Sequence, residues 1–131
     1  MNTLDVLEER RRIVLSGDMT GFADLFAEDG VIEIPFATRG LPARLDGREA
    51  IRRFTNRPGR ALTITDLRIH QVHQTTDPEV VIVELTSVGR VTTTDEPFEV
   101  PCVQVFRIRD GRIVLFRDYV GSGFMPDLPE V

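Results

Sequence analysis

Apolar and polar positions change rhythm partway along the chain. In "TLDVLEERRRIVLSGD", Leu4, Leu7 and Val14 share one helical face. Thr3 stands where an N-cap belongs and Gly17 where a C-terminal glycine belongs, so this segment is a first helix. "DMTGFADLFAED" is expected to form a second, shorter helix with Phe22, Leu25 and Phe26 on one side. "GVIEIPFA" then reads as a strand, rich in β-branched residues and ended by Pro35. "TRGLPARL" reads as a loop. "DGREAIRRFTNRPG" is expected to be a third helix, with Asp46 and Glu49 as a capping box and Pro58-Gly59 as its stop. Beyond it the period shortens. "LTITDLRIHQVHQ", "EVVIVELTSVGRVTT", "PFEVPCVQVFRIR" and "RIVLFRDYVG" read as four long strands. The turn between the last two, Asp110-Gly111, suits a two-residue hairpin. Helices followed by an antiparallel meander indicate an α+β fold.

Bulk properties narrow the field. The 131 residues suit a single domain, 1–131, and 41% hydrophobic with 28% charged residues is ordinary for a globular chain. A net charge of -5 argues against nucleic acid and against anionic membrane as partners. The basic runs Arg10-Arg11-Arg12 and Arg52-Arg53 read as solvated helix faces. Cys102 is the only cysteine, which excludes an internal disulfide and a cysteine-based zinc site. The charged start "MNTLDVLEERRR" is unlike a signal peptide, and no apolar run is long enough to span a bilayer. A cytoplasmic location is expected.

The order helix, "SGD", helix, "LFAEDGVIEIP", "GREAIRRF" and long strands closing on "VFRIRDGRIVLFRDY" resembles the SnoaL-like proteins, from roughly Leu4 to Val120. These belong with nuclear transport factor 2, ketosteroid isomerase and limonene epoxide hydrolase. The resemblance implies a cone-shaped α+β barrel of the cystatin-like kind. Three N-terminal helices would pack in a strongly curved, mostly antiparallel sheet around a deep apolar pocket. Residues from about 122 would form a tail or lid. It also implies a homodimer through the outer sheet face, and chemistry by side chains alone, with no metal or organic cofactor. The isomerase's general base falls on Ile34, its oxyanion-hole aspartate on Gln104 and its helix tyrosine near Arg10. The epoxide hydrolase's Arg/Asp pair falls on Leu85 and Ser87, while its final aspartate is present as Asp118. Steroid isomerisation is therefore not expected. SnoaL-type cyclases, with an acid/base aspartate late in the fold, are the nearest functional analogue.

Strand alternation gives an expected inner face. Asp118 facing inward brings Phe116 and Val120 with it and sends Arg117 and Tyr119 out. Ile32, Ile34 and Phe36 form a second inward set; Cys102, Gln104 and Phe106 a third; Val83, Leu85 and Ser87 a fourth. The sum is an apolar site with Asp118 and Gln104 as candidate catalytic groups. Burial is expected to raise the Asp118 pKa, as suits an acid or base near neutrality. Asp118 equally fits a structural carboxylate paired with a helix arginine or with Gln104. His70 and His73, three apart, fall on opposite faces of a regular strand, which argues against a shared metal. Their neighbours Ile69 and Val72 share no parity, a hint of a bulge that can bring one of them, His70, toward the substrate; the plainer reading keeps both at the surface or rim. Arg39 and Arg44 flank a loop near the pocket mouth, where they can meet an acidic group. Phe124 and Met125 can fold back as a lid. Two functions from different classes follow. One is an acid–base enzyme for a hydrophobic polyketide- or terpenoid-like small molecule, by cyclisation, isomerisation, dehydration or epoxide opening. The other is a non-catalytic binder of a lipophilic ligand. An interaction module using the outer sheet face is a third.

Overall fold

The computed structural model describes residues 1–38 and 40–127. Helix α1, Thr3–Ser16, is capped by Asn2 rather than Thr3. The Asp5 N–H donates to Asn2 Oδ1 at 2.8 Å and the Asn2 N–H to Asp5 Oδ2 at 3.1 Å, a reciprocal box that satisfies two end donors. Gly17 closes the helix in the left-handed region, φ 79°. The buried face carries Val6, Arg10 and Ile13, and Leu4 is left 45% exposed.

The expected second helix is absent. Only a single 3-10 turn, Ala23–Leu25, precedes strand β1, Phe26–Glu33. Phe26 is already paired with Ile113 of the last strand and is fully buried, so the apolar run feeds the sheet instead of completing a helical turn. The register then breaks between Phe26 and Val31. Gly30 sits in this break, where a Cβ would meet the Ile113 carbonyl oxygen at 2.8 Å. Part of the expected loop forms a short strand, β2, Arg44–Asp46, antiparallel to β1. Helix α2, Arg48–Thr55, starts after Gly47 at φ 89°, and no side chain caps it. Asp46 is held in β2 and ion-paired with Arg44 at 2.9 Å, so the expected capping box does not form. Among the described residues there are thus two α-helices, not three.

The long strands are β3 (Leu62–Gln74), β4 (Val80–Val91), β5 (Pro97–Arg109) and β6 (Arg112–Val120). Asp110 (φ 51°) and Gly111 (φ 76°) are both left-handed, as a tight hairpin between β5 and β6 requires. The six strands form one curved sheet in the order β2-β1-β6-β5-β4-β3, antiparallel except for the parallel β1–β6 pair. β2 and β3 are its edges, so the pairings of the described residues do not close a barrel. Register shifts interrupt β3 at Ile64/Asp66 and Ile69/Gln71, and β5–β6 at Arg107/Ile108, and such bulges bend a strand. The helices cover one face of the sheet, and Val6, Phe26, Ile51, Leu85, Phe106 and Ile113 are almost wholly enclosed between them. No helix of the described residues is long and apolar enough to cross a membrane.

Candidate functional site

The covered face of the sheet is apolar along three adjoining strands except at the Gln104–Asp118 pair and at Ser87. Cross-strand pairing aligns Phe106 with Phe116, Gln104 with Asp118, and Cys102 with Val120. On β4, Val83 is opposite Gln104, Leu85 opposite Cys102 and Ser87 opposite Val100. Val83, Leu85, Cys102, Phe106, Phe116, Ile32 and Ile34 are buried in this face, and Val120 and Ser87 are half-buried. Gln104 is 3% exposed. Asp118 is half-buried as a residue, with its Oδ1 out of reach of solvent.

Helix α1 adds a residue that the charge run in the sequence concealed. Arg10 is only 4% exposed, not part of a solvated face. Its guanidinium carbon lies 5.1 Å from the Phe106 ring centre and 5.8 Å from that of Phe116. Those rings stack at 4.6 Å and 12°. The aromatic faces offset part of the cost of burying the cation. The spacing of Val6, Arg10 and Ile13 was the available signal, since it puts the three on one helical stripe. Arg11 and Arg12 do face outward, paired with Asp66 at 3.1 Å and with Glu9 respectively.

The electrostatics of the three interior groups are coupled. Burial pushes the Asp118 carboxyl up to about 6 from its ordinary 3.8, while the Gln104 amide and the Arg10 charge pull the other way. Burial lowers Arg10 to about 10, with Asp118 opposing the drop, so it stays a cation at neutrality. The Cys102 thiol rises to about 11, through burial first and the neighbouring Asp118 charge second. A thiol held protonated is no nucleophile, and its Sγ donates to the Val100 carbonyl at 3.5 Å. Arg10 Nε, Gln104 Oε1 and Asp118 Oδ1 are all buried without a hydrogen-bond partner. Unpaired polar atoms in an interior are costly unless something else completes them.

Other expected site residues lie elsewhere. Phe36 is 59% exposed and packs on Tyr119, with ring centres 5.6 Å apart. Strand β1 ends at Glu33, so the alternation counted through Ile34 does not reach Phe36. His70 is exposed, with Nε2 2.8 Å from Thr86 Oγ1; His73 Nε2 is 2.5 Å from Glu84 Oε2. Thr86 and Glu84 alternate with the inward Leu85 and Val83, so both histidines lie on the outer face. The bulge after Ile69 puts them on one face rather than two. His70, Phe36, Pro101, Val103 and Tyr119 surround an outer depression of about 410 Å³. Arg117 pairs with Glu33 at 3.3 Å, leaving Asp118 to the interior alone. Arg44 is likewise engaged by Glu33 at 3.2 Å. Arg39 and the end of the tail, residues 128–131, lie outside the described residues. Phe124, in a 3-10 turn after β6, is 66% exposed, while Met125 packs against the core. Among the described residues no His/Cys/Asp/Glu group is arranged to hold a metal.

A second cavity, of about 530 Å³, opens between α1 and edge strand β3, and Arg10 forms part of its wall.

The chain matches the SnoaL-like domain over residues 8–116. It is 35% identical to an uncharacterized PhzA/B-like protein of Pseudomonas aeruginosa over 91% of this chain and 84% of that one. The crystal structure of a candidate isomerase from Bacillus subtilis superposes with a TM-score of 0.82 at 30% identity, covering 89% of this chain and 84% of that one. A Mycobacterium tuberculosis protein in complex with estradiol-17β-hemisuccinate shares the fold, with a TM-score of 0.81 at 21% identity over 97% of this chain and 100% of that one. With its matched span and its α+β architecture, the chain belongs to the SnoaL-like family.

Proposed function

We propose that this protein is a cofactor-independent enzyme that removes a proton next to a carbonyl of a hydrophobic small molecule, with Asp118 as the general base. The observation that carries the reading is the Asp118 carboxyl, buried beside Gln104 and Arg10 and raised to about 6. At pH 7 such a group is mostly ionised, by about ten to one, yet it is a stronger base than a solvated aspartate. The Arg10 charge favours that anionic form. The Gln104 amide, paired with Asp118 across the ladder, is the nearest neutral donor for an enolate oxygen. Ile32, Ile34, Val83, Leu85, Cys102, Phe106, Phe116 and Val120 would enclose the substrate body, with Ser87 as a further polar contact.

A base that starts the reaction favours cyclisation or isomerisation of a polyketide- or terpenoid-like ketone over dehydration or epoxide opening, which need an acid at the leaving oxygen. Two copies would associate through the outer sheet face, where Phe36, Val103 and Tyr119 leave an apolar depression. The test is deuterium exchange at the α-carbon of a panel of apolar ketones, followed by proton NMR. Asp118→Asn is expected to slow exchange by about 10²–10⁴-fold. Exchange that is unchanged in this variant would end the proposal. A ligand that binds tightly and is released with no exchange by either protein would favour the carrier reading.

A further inference from the structure

The cavity between α1 and β3 has an apolar wall and one unusual polar group. Leu4 and Leu7 come from the helix, Leu67, Ile69 and Val72 from β3, and Val83 from β4. The charges at its rim are already partnered or solvated. Arg11 pairs with Asp66 at 3.1 Å, Arg68 pairs with Glu99 at 3.0 Å, and Glu8 is exposed. Arg10 differs: it is 4% exposed and its Nε–H is buried with no acceptor. A guanidinium carries donors only, so what completes it must be an acceptor, and a planar carboxylate matches its fork best. Stacking over Phe106 and Phe116 fixes the guanidinium plane in advance, which lowers the cost of binding.

One row of cross-strand partners connects this cavity to the acid–base centre. Val72 is opposite Val83, Val83 opposite Gln104, and Gln104 opposite Asp118. At about 4.8 Å per strand, the row spans roughly 14 Å from Val72 to Asp118 and about 10 Å from Val83, which also lines the cavity. Arg10 borders the cavity and also acts on Asp118 through its charge, so it stands between the two.

We infer that the α1–β3 cavity binds the apolar body of a small amphipathic carboxylic acid whose carboxylate is met by the Arg10 guanidinium. As a substrate site it rests on the acid–base reading above; its binding chemistry does not. The test uses octanoate and octanol as probes, titrated into isotopically labelled protein and followed by amide shifts. Octanoate is expected to shift amides around Leu7, Leu67, Ile69 and Val72. It should bind about tenfold or more tightly than octanol, the worth of a charge-assisted hydrogen bond. Arg10→Met should abolish that preference while octanol still binds. Ile69→Trp, on the half-exposed cavity wall, should block both probes; together with the octanoate-over-octanol ratio in the wild type it decides the matter if Arg10→Met does not fold. Equal affinity for the two probes, a preference kept in Arg10→Met, or octanoate binding unaffected by Ile69→Trp would overturn the inference. Octanoate binding should survive Asp118→Asn, so loss of catalysis in that variant leaves this inference standing, and loss of octanoate binding there overturns it.

Discussion

Asp118→Asn keeps the shape of the side chain and removes its charge, which makes the cost of that charge measurable. The folded carboxyl titrates at about 6 against an ordinary 3.8, because burial disfavours the anion more than Gln104 and Arg10 favour it. A folded pKa above the unfolded one means the native state holds the proton more tightly. Between those two values, wild-type stability therefore falls as pH rises. About two units at about 1.4 kcal/mol each give ~3 kcal/mol. The variant carries no titrating group at this position, and every other group is common to both proteins. The stability gap should thus move in favour of Asp118→Asn by ~3 kcal/mol between about pH 3.5 and pH 7. Urea unfolding followed by far-ultraviolet circular dichroism, at steps across that range, reads the gap directly. A gap that stays constant with pH, or that moves toward wild type, would refute the claim that Asp118 is a desolvated carboxyl.

Three further outcomes follow from neighbouring residues. Arg10→Met removes the cation that favours ionised Asp118, so the Asp118 midpoint in a carboxyl carbon-13 NMR titration should rise above about 6. Phe106→Ala empties a fully buried position and withdraws one of the two rings under Arg10. Urea unfolding should register a loss of about 3–5 kcal/mol. Val103→Arg places a charge on the outer face, where Val103 is 40% exposed beside Tyr119. If the proposed dimer forms through this face, sedimentation should report a dimer for the wild type and a monomer for the variant, and catalysis per chain should persist.

The β-meander was legible because its signals agree. In β5, residue by residue, alternate positions are exposed and buried from Pro97 to Gln104, and the Asp110-Gly111 turn requires the left-handed conformations it adopts. The lost parity around Ile69 likewise pointed to a real register shift. The stretch from Phe22 to Phe26 was not legible. A short apolar run fits a helical turn and a strand start equally well, and here the distant partner Ile113 decides. Arg10 was hidden for a different reason. Three adjacent arginines look like a solvated face, and only tertiary packing against Phe106 and Phe116 separates the first from the other two. Phe36 failed at a boundary, since alternation holds only while the strand continues, and β1 stops at Glu33.

The most direct test of the acid–base account is the pH dependence of α-proton exchange in wild type and in Asp118→Asn. The account predicts a wild-type rate that rises with pH, has its midpoint near the Asp118 value of about 6, and levels off above neutrality. The variant should show only slow exchange without that midpoint. A wild-type rate that is flat from pH 4 to 8, or a variant that keeps the rate and the midpoint, would contradict it.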